Sequence, residues 1–261
     1  MSRDDSFRKT GPARDIAVEA AKTVAGRAIG RETGLFCVPE VVEGSRPGEL
    51  LLERMDGLTT LCNAIEMHAE GLPSLFMQMG RGIAAVHRDL VLAEDMRIPF
   101  PGPWDPASVA VPVFVHGDLT AHNVCVQETT GRLVILDWSV APHLGVQATY
   151  GSPYFDIALL FAHCSYAPPS RCGRIPLAGL FDAFLAGYAY ERPGALLPDA
   201  FSEAMHAIEP EYLRLVERAA QSRGPGRRQV FQVVHGARLR AWRSYRPPRS
   251  VFESTPERSS R

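Results

Sequence analysis

Lysine is nearly missing from this chain. Of its 28 basic residues only Lys9 and Lys22 are lysines, so chemistry that needs an ammonium group has two candidates. Cysteine is sparse too. Cys37, Cys62, Cys125, Cys164 and Cys172 are odd in number, scattered, and never spaced C-x-x-C. That argues against a disulfide framework or a thiolate zinc site, and for free thiols in a reducing compartment. No run of about 18 apolar residues occurs, so no membrane span is expected. The opening stretch MSRDDSFRKTGPARD is polar and carries acids, unlike a signal peptide, and the expected location is cytoplasmic. Neither sign of charge is in excess: the formal net charge is -1. Bulk attraction to nucleic acid or to an anionic membrane is therefore not expected.

What the chain does have is apolar content, at 46% of 261 residues, enough for one large domain or two small lobes with a real core. Helical periodicity marks 14–30, 59–69, 73–92, 154–166, 176–191, 200–220 and 228–244. Short strands are read at 36–43 and 49–55, and a hairpin at 123–128 and 132–138 around TTG. A Pro-rich stretch, 98–112, reads as a connector over the surface, and the end of the chain is polar. Elements that are segregated, and not alternating βαβ, define an α+β class.

One stretch resists a core reading. VHGDLTAHNVCV (115–126) puts His116, Asp118 and Asn123 between apolar runs. Asn123 opens the first hairpin strand and Asp137, in LVILDW, closes the second. Their midpoint is Thr130, which suits a three-residue loop with Gly131 in the left-handed region; a bulge would slip the register by one. Either way an amide oxygen and a carboxylate meet at the hairpin's open end. Such hard-oxygen donors suit Mg²⁺ alongside phosphate oxygens and water. Asp118, on the loop entering that end, can accept a proton from an attacking hydroxyl. These are the parts of a phosphoryl-transfer site.

HGDLTAHN followed by LVILDW resembles the aminoglycoside phosphotransferase and choline kinase family, with its H-G-D-x-x-x-x-N loop, hairpin and D-W motif. The resemblance implies a protein-kinase-like two-lobed fold, with Asp118 as catalytic base and Asn123 and Asp137 as Mg²⁺ ligands. It implies His116 as a brace for the loop and Asp156, in GSPYFDIALL, as a structural pin for it. LLLERMDG (50–57) looks like the strand leading to the hinge, whose backbone at Arg54 and Met55 would bond the adenine of ATP. The fold needs a strand lysine paired to a helix glutamate, and Lys9 with Glu19 fits. Eight residues, none of them glycine, precede Lys9, where the family has two strands and a phosphate-covering loop, so the expectation is a reduced N-lobe, a truncated protein, or a start that lies further upstream. The expected organisation is a nucleotide-side lobe at 1–56, a helical lobe at 57–250 carrying the catalytic loop, and a disordered tail at 251–261.

The activity implied is ATP- and Mg²⁺-dependent phosphorylation of a small-molecule hydroxyl, on an aminoglycoside-like antibiotic, an amino alcohol or a sugar. The alternative is a non-catalytic, kinase-like binding protein. Three residues are read as structural. Lys22, mid-helix, is expected on a solvated face, His87 as a helix residue bonded to backbone, and Trp138 as core. His116 and His122 lack a third histidine in a matching position, so zinc is not expected.

Overall fold

The computed structural model describes residues 6–42, 46–67, 69–139, 147–166, 177–210 and 244–253, with a few isolated positions between 213 and 233. Most of the helix expected at 228–244, and residues 254–261, lie outside them.

The chain enters as β1 (Ser6–Thr10), passes into a long helix α1 (Ala13–Thr33), and returns as β2 (Glu49–Glu53). β1 and β2 are antiparallel, with Lys9 opposite Leu50. α1 ends where Gly34 takes φ 68° and returns its N–H to Gly30 O, a left-handed stop that glycine adopts without strain. The buried stripe of α1 is Ile16, Glu19, Lys22, Thr23, Gly26 and Ile29. Val24 is exposed, and three polar side chains, Glu19, Lys22 and Thr23, point inward. The segment 36–42 forms single bridges, Cys37 with Val134 and Val41 with Leu52, and not a strand; residue 43 of the expected strand lies outside the described residues.

β3 (Leu58–Thr60) leads into α2 (Leu61–Glu66), whose first turn is capped by Thr60 Oγ1 accepting from Asn63 N–H. Then follow α3 (Leu72–Asp89), the connector, and β4 (Val113–Phe114). The connector is anchored, which the proline content hid. Phe100 and Trp104 are buried and pack on Phe155. The hairpin is β5 (Val124–Gln127) with β6 (Leu133–Ile135), and β3 adds to its outer edge. Val124 faces Ile135 and Cys125 faces Val134, one residue out of the register centred on Thr130. The cause is a longer loop, 128–131, closed by Gln127 N–H to Arg132 O and ending in Gly131 at φ 67°.

β7 (Tyr150–Gly151) pairs with β4 and delivers the chain to α4 (Tyr154–Tyr166), α5 (Leu177–Glu191) and α6 (Pro198–Ala207). A final turn, α7 (Ser250–Glu253), occupies part of the expected tail, and Phe252 packs against the core. No described helix is long and apolar enough to cross a membrane.

The helical layer turns on a close approach of α3 and α5. A Cβ at Gly80 would lie 1.9 Å from Phe184 O, and one at Gly187 would lie 2.1 Å from Met77 O. Glycine is needed here for space, although it costs helix propensity. Gly179, on the same α5, has nothing within 4 Å of a built Cβ. Gly80→Ala should lower stability by at least about 2 kcal/mol through overpacking, whereas Gly179→Ala should raise it by about 0.5–1 kcal/mol. Urea unfolding midpoints of the two variants test the contrast.

Candidate active site

The loop 115–123 is held from below by Asp156 at the start of α4. This carboxylate has no exposed surface. Its Oδ2 accepts from His116 N–H at 2.6 Å and its Oδ1 from Gly117 N–H at 2.9 Å. A further bond comes from His87, whose Nε2 lies 2.9 Å from Oδ2. With Nε2–H donating there, His87 Nδ1 accepts from the Tyr188 hydroxyl at 2.8 Å. The hydroxyl in turn accepts from Arg192 at 3.2 Å. The sequence had suggested a bond to backbone; His87 instead bonds two side chains, Asp156 and Tyr188. From the last turn of α3 its ring reaches Asp156 on α4 and Tyr188 on α5. Burial holds the His87 pKa below the ordinary imidazole value. Burial opposes the charge on Asp156, but the His87 bond and the backbone N–H groups outweigh it, and its pKa is lowered.

Within the loop, Asn123 Nδ2 donates to Asp118 Oδ2 at 2.8 Å and to Asp118 O at 2.9 Å. The amide therefore orients the carboxylate, and Asn123 Oδ1 carries no hydrogen bond among the described residues. His116 is fully buried and packs on Trp138, with ring centroids 4.6 Å apart. Its Nδ1 accepts from Asp118 N–H at 3.3 Å, and Nε2 reaches Leu136 O at 3.0 Å. The ring thus ties the Asp118 loop to the residue before Asp137. Burial pushes its pKa down to about 4, so the neutral imidazole does the bracing.

At the hairpin's open end Asp137 sits at φ 55°, alone among described non-glycine residues in positive φ. Aspartate tolerates that region better than most side chains. Asp137 Oδ1 accepts from Lys9 Nζ at 2.6 Å, and Lys9 also donates to Glu19 Oε1 at 2.8 Å. Burial works against the Lys9 charge, but the bonds to Asp137 and Glu19 outweigh it and raise its pKa. Burial raises the Glu19 pKa. Lys22 is not solvated. It is fully buried, and its Nζ donates to His116 O and Ser139 O. Burial lowers its pKa to about 8. The sequence held a signal for this: Glu19 and Lys22 are three apart, so turning Glu19 inward turns Lys22 inward as well.

Lys9, Glu19, Asn123 and Asp137 open onto one cleft of about 390 Å³, walled by Phe7, Leu52, Met55, Leu58 and Leu136. Arg54 lines it as well, but its guanidinium turns to Asp56 at 3.3 Å. Asp118 lies outside the cleft lining, joined to it through Asn123. A larger hollow, about 660 Å³, lies against α6 and Arg246 and contains none of these residues. Among the described residues no cluster of three or more His, Cys, Asp or Glu forms a metal cage. Asn123 and Asp137 fit instead a hard cation that takes few protein oxygens and completes its shell with phosphate and water.

Residues 103–197 match the model of the phosphotransferase enzyme family, APH, a stretch that contains Asp118, Asn123, Asp137 and Asp156. Among solved structures the chain is similar to a glucosamine kinase in complex with glucosamine, ADP and inorganic phosphate. The TM-score is 0.60 at 17% identity, over 92% of this chain and 77% of that one. It is also similar to a choline/ethanolamine kinase family protein from Mesorhizobium loti, with TM-score 0.51 at 14% identity, over 98% of this chain and 85% of that one. No curated protein matches the sequence. The fold is the α+β, kinase-like one that the H-G-D-x-x-x-x-N resemblance implied.

His116, neutral when folded and near 6.5 when unfolded, gives a signed pH dependence. The unfolded chain binds the extra proton between pH 6.5 and about 4, so stability is present above that window and is lost as pH falls through it. Thermal midpoints should drop on acidification from pH 7 to 5, and His116→Gln should show a shallower drop, by up to roughly 1.4 kcal/mol per pH unit. An equal slope in both proteins would contradict the buried neutral imidazole.

Proposed function

We propose that this protein is a small-molecule kinase, moving the γ-phosphoryl group of ATP to a hydroxyl of a small acceptor. The observation that carries the reading is the meeting, at one cleft, of Lys9 from β1, Glu19 from α1 and Asp137 from 128 residues further on. The match of residues 103–197 to a phosphotransferase family supports it, as does the likeness of fold to a kinase bound to ADP.

In this reading the apolar walls Leu52, Leu58 and Leu136 receive the adenine against the backbone of Arg54 and Met55. Lys9, steered by Glu19, neutralises the α/β-phosphates. Asn123 Oδ1 and the Asp137 carboxylate would hold Mg²⁺, which supplies charge neutralisation on the phosphates when bound. Asp118, oriented by the Asn123 amide, accepts the acceptor's proton as its oxygen attacks phosphorus, and ADP leaves. Positioning and electrostatics supply most of the rate in such a transfer. The acceptor class is a hydroxylated small molecule, whether an aminoglycoside-like antibiotic, an amino alcohol or a sugar.

Calorimetric titration with ATP, with and without Mg²⁺, followed by an ADP-release screen over hydroxylated amines and sugars, tests the reading. Asp118→Ala should lower turnover by at least about 100-fold with the unfolding midpoint nearly unchanged, because the Asp156 ties to His116 and Gly117 remain. Asp137→Ala should abolish the Mg²⁺ dependence of ATP binding. Turnover retained in both variants would refute the assignment, and Mg²⁺-independent, non-turning-over binding would favour a kinase-like binding protein.

A further inference from the structure

Lys22 is the lysine that the phosphoryl-transfer reading leaves without a role. It lies mid-helix in α1, fully buried, three residues beyond Glu19. An ammonium in such a place loses its hydration. An apolar side chain of similar length would fill the space without that cost, and buried charges are often replaceable in this way. Packing alone therefore gives no reason for a lysine.

Its hydrogen bonds do. Nζ donates to His116 O and to Ser139 O. His116 lies two residues before Asp118, and Ser139 two residues after Asp137. A single cation on α1 thus holds the backbone of the segment bearing the candidate base and that of the segment bearing the candidate ligand. The charges that favour it are, in order, Asp156, Glu19, Asp118 and Asp137. The neutral His116 ring joins the same two segments a second time, through Asp118 N–H and Leu136 O. One more contact places α1 against this region: a Cβ at Gly26 would lie 2.5 Å from the Trp138 ring.

We propose that Lys22 is a positioning residue that sets the spacing of Asp118 and Asp137 by tying both of their backbone segments to the buried face of α1. Glu19, which steers Lys9, is on the same face of the same helix, so the tie also fixes the phosphate-binding lysine relative to the base. The proposal rests on the phosphotransferase reading for its catalytic consequence, and on hydrogen bonds alone for the tie.

The test uses the full chain carrying Lys22→Met or Lys22→Gln. Basal ADP release from Mg²⁺–ATP is measured with ATP varied, and amide hydrogen exchange is followed at 116–123 and 136–139. In K22M, kcat should fall at least about 30-fold with the KM for ATP within about threefold, as expected for misplacement near the reacting atoms. Both segments should exchange at least about tenfold faster, with the rest of the chain unchanged. K22Q keeps one amide donor and should fall between K22M and wild type in both readouts, and it carries the test if K22M does not fold. A K22M kcat within about twofold of wild type, or wild-type exchange in both segments, overturns the proposal; so does faster exchange across the whole chain with KM and kcat impaired together, the mark of a merely structural role. If the wild-type chain releases no ADP with any acceptor in the screen, the phosphotransferase reading fails by itself and the exchange comparison still decides the tie.

Discussion

A carboxylate with no exposed surface must be supplied with donors, and Asp156 has three: the N–H groups of His116 and Gly117 and the ring of His87. Because the accepted protons belong to consecutive backbone amides, the carboxylate fixes a loop conformation and not just a contact. Gly117, at φ 89°, takes the turn that presents both amides to it. The donor His87 is itself held by Tyr188 on α5. The backbone-close packing of α3 on α5 at Gly80 and Gly187 is what brings those two side chains together. A rigid helical layer is in this way converted into a fixed position for Asp118.

On the other side of the site the problem is one of charge balance. Asp118, Asp137, Asp156 and Glu19 converge in a space where an uncompensated carboxylate would be costly. The two lysines of the chain are both placed there. Arginine is used almost everywhere else, and its planar fork can serve two carboxylates at once, as in Arg27 with Glu40 and Glu53. An ammonium is compact and donates in three directions. That fits Lys9 between two carboxylates and Lys22 between two carbonyls.

The local spacings were legible in the sequence. H-G-D-x-x-x-x-N, the hairpin and the closing Asp137 are set by strand geometry and turn chemistry over some twenty residues. Asn123 and Asp137 do share an end of the hairpin, and even a one-residue slip in register did not separate them. The pairing of Lys9 with Glu19 was legible as well, because a family pattern assigned it. The inward face of α1 was not. Glu19, Lys22 and Thr23 share its buried side, and a helix face that is buried while carrying Glu, Lys and Thr has no hydrophobic signature to read.

Sequence alone determined which groups exist and which lie within one turn or one hairpin of each other, because covalent geometry fixes those distances. Tertiary structure alone decided which polar groups were buried and with whom. The partners of His87 lie 69 and 101 residues away, those of Lys22 94 and 117, and Lys9 meets Asp137 across 128. Whether a charge is solvated or buried depends on what packs over it; the spacing of Glu19 and Lys22 tells only that they share a helix face, not that the face is covered.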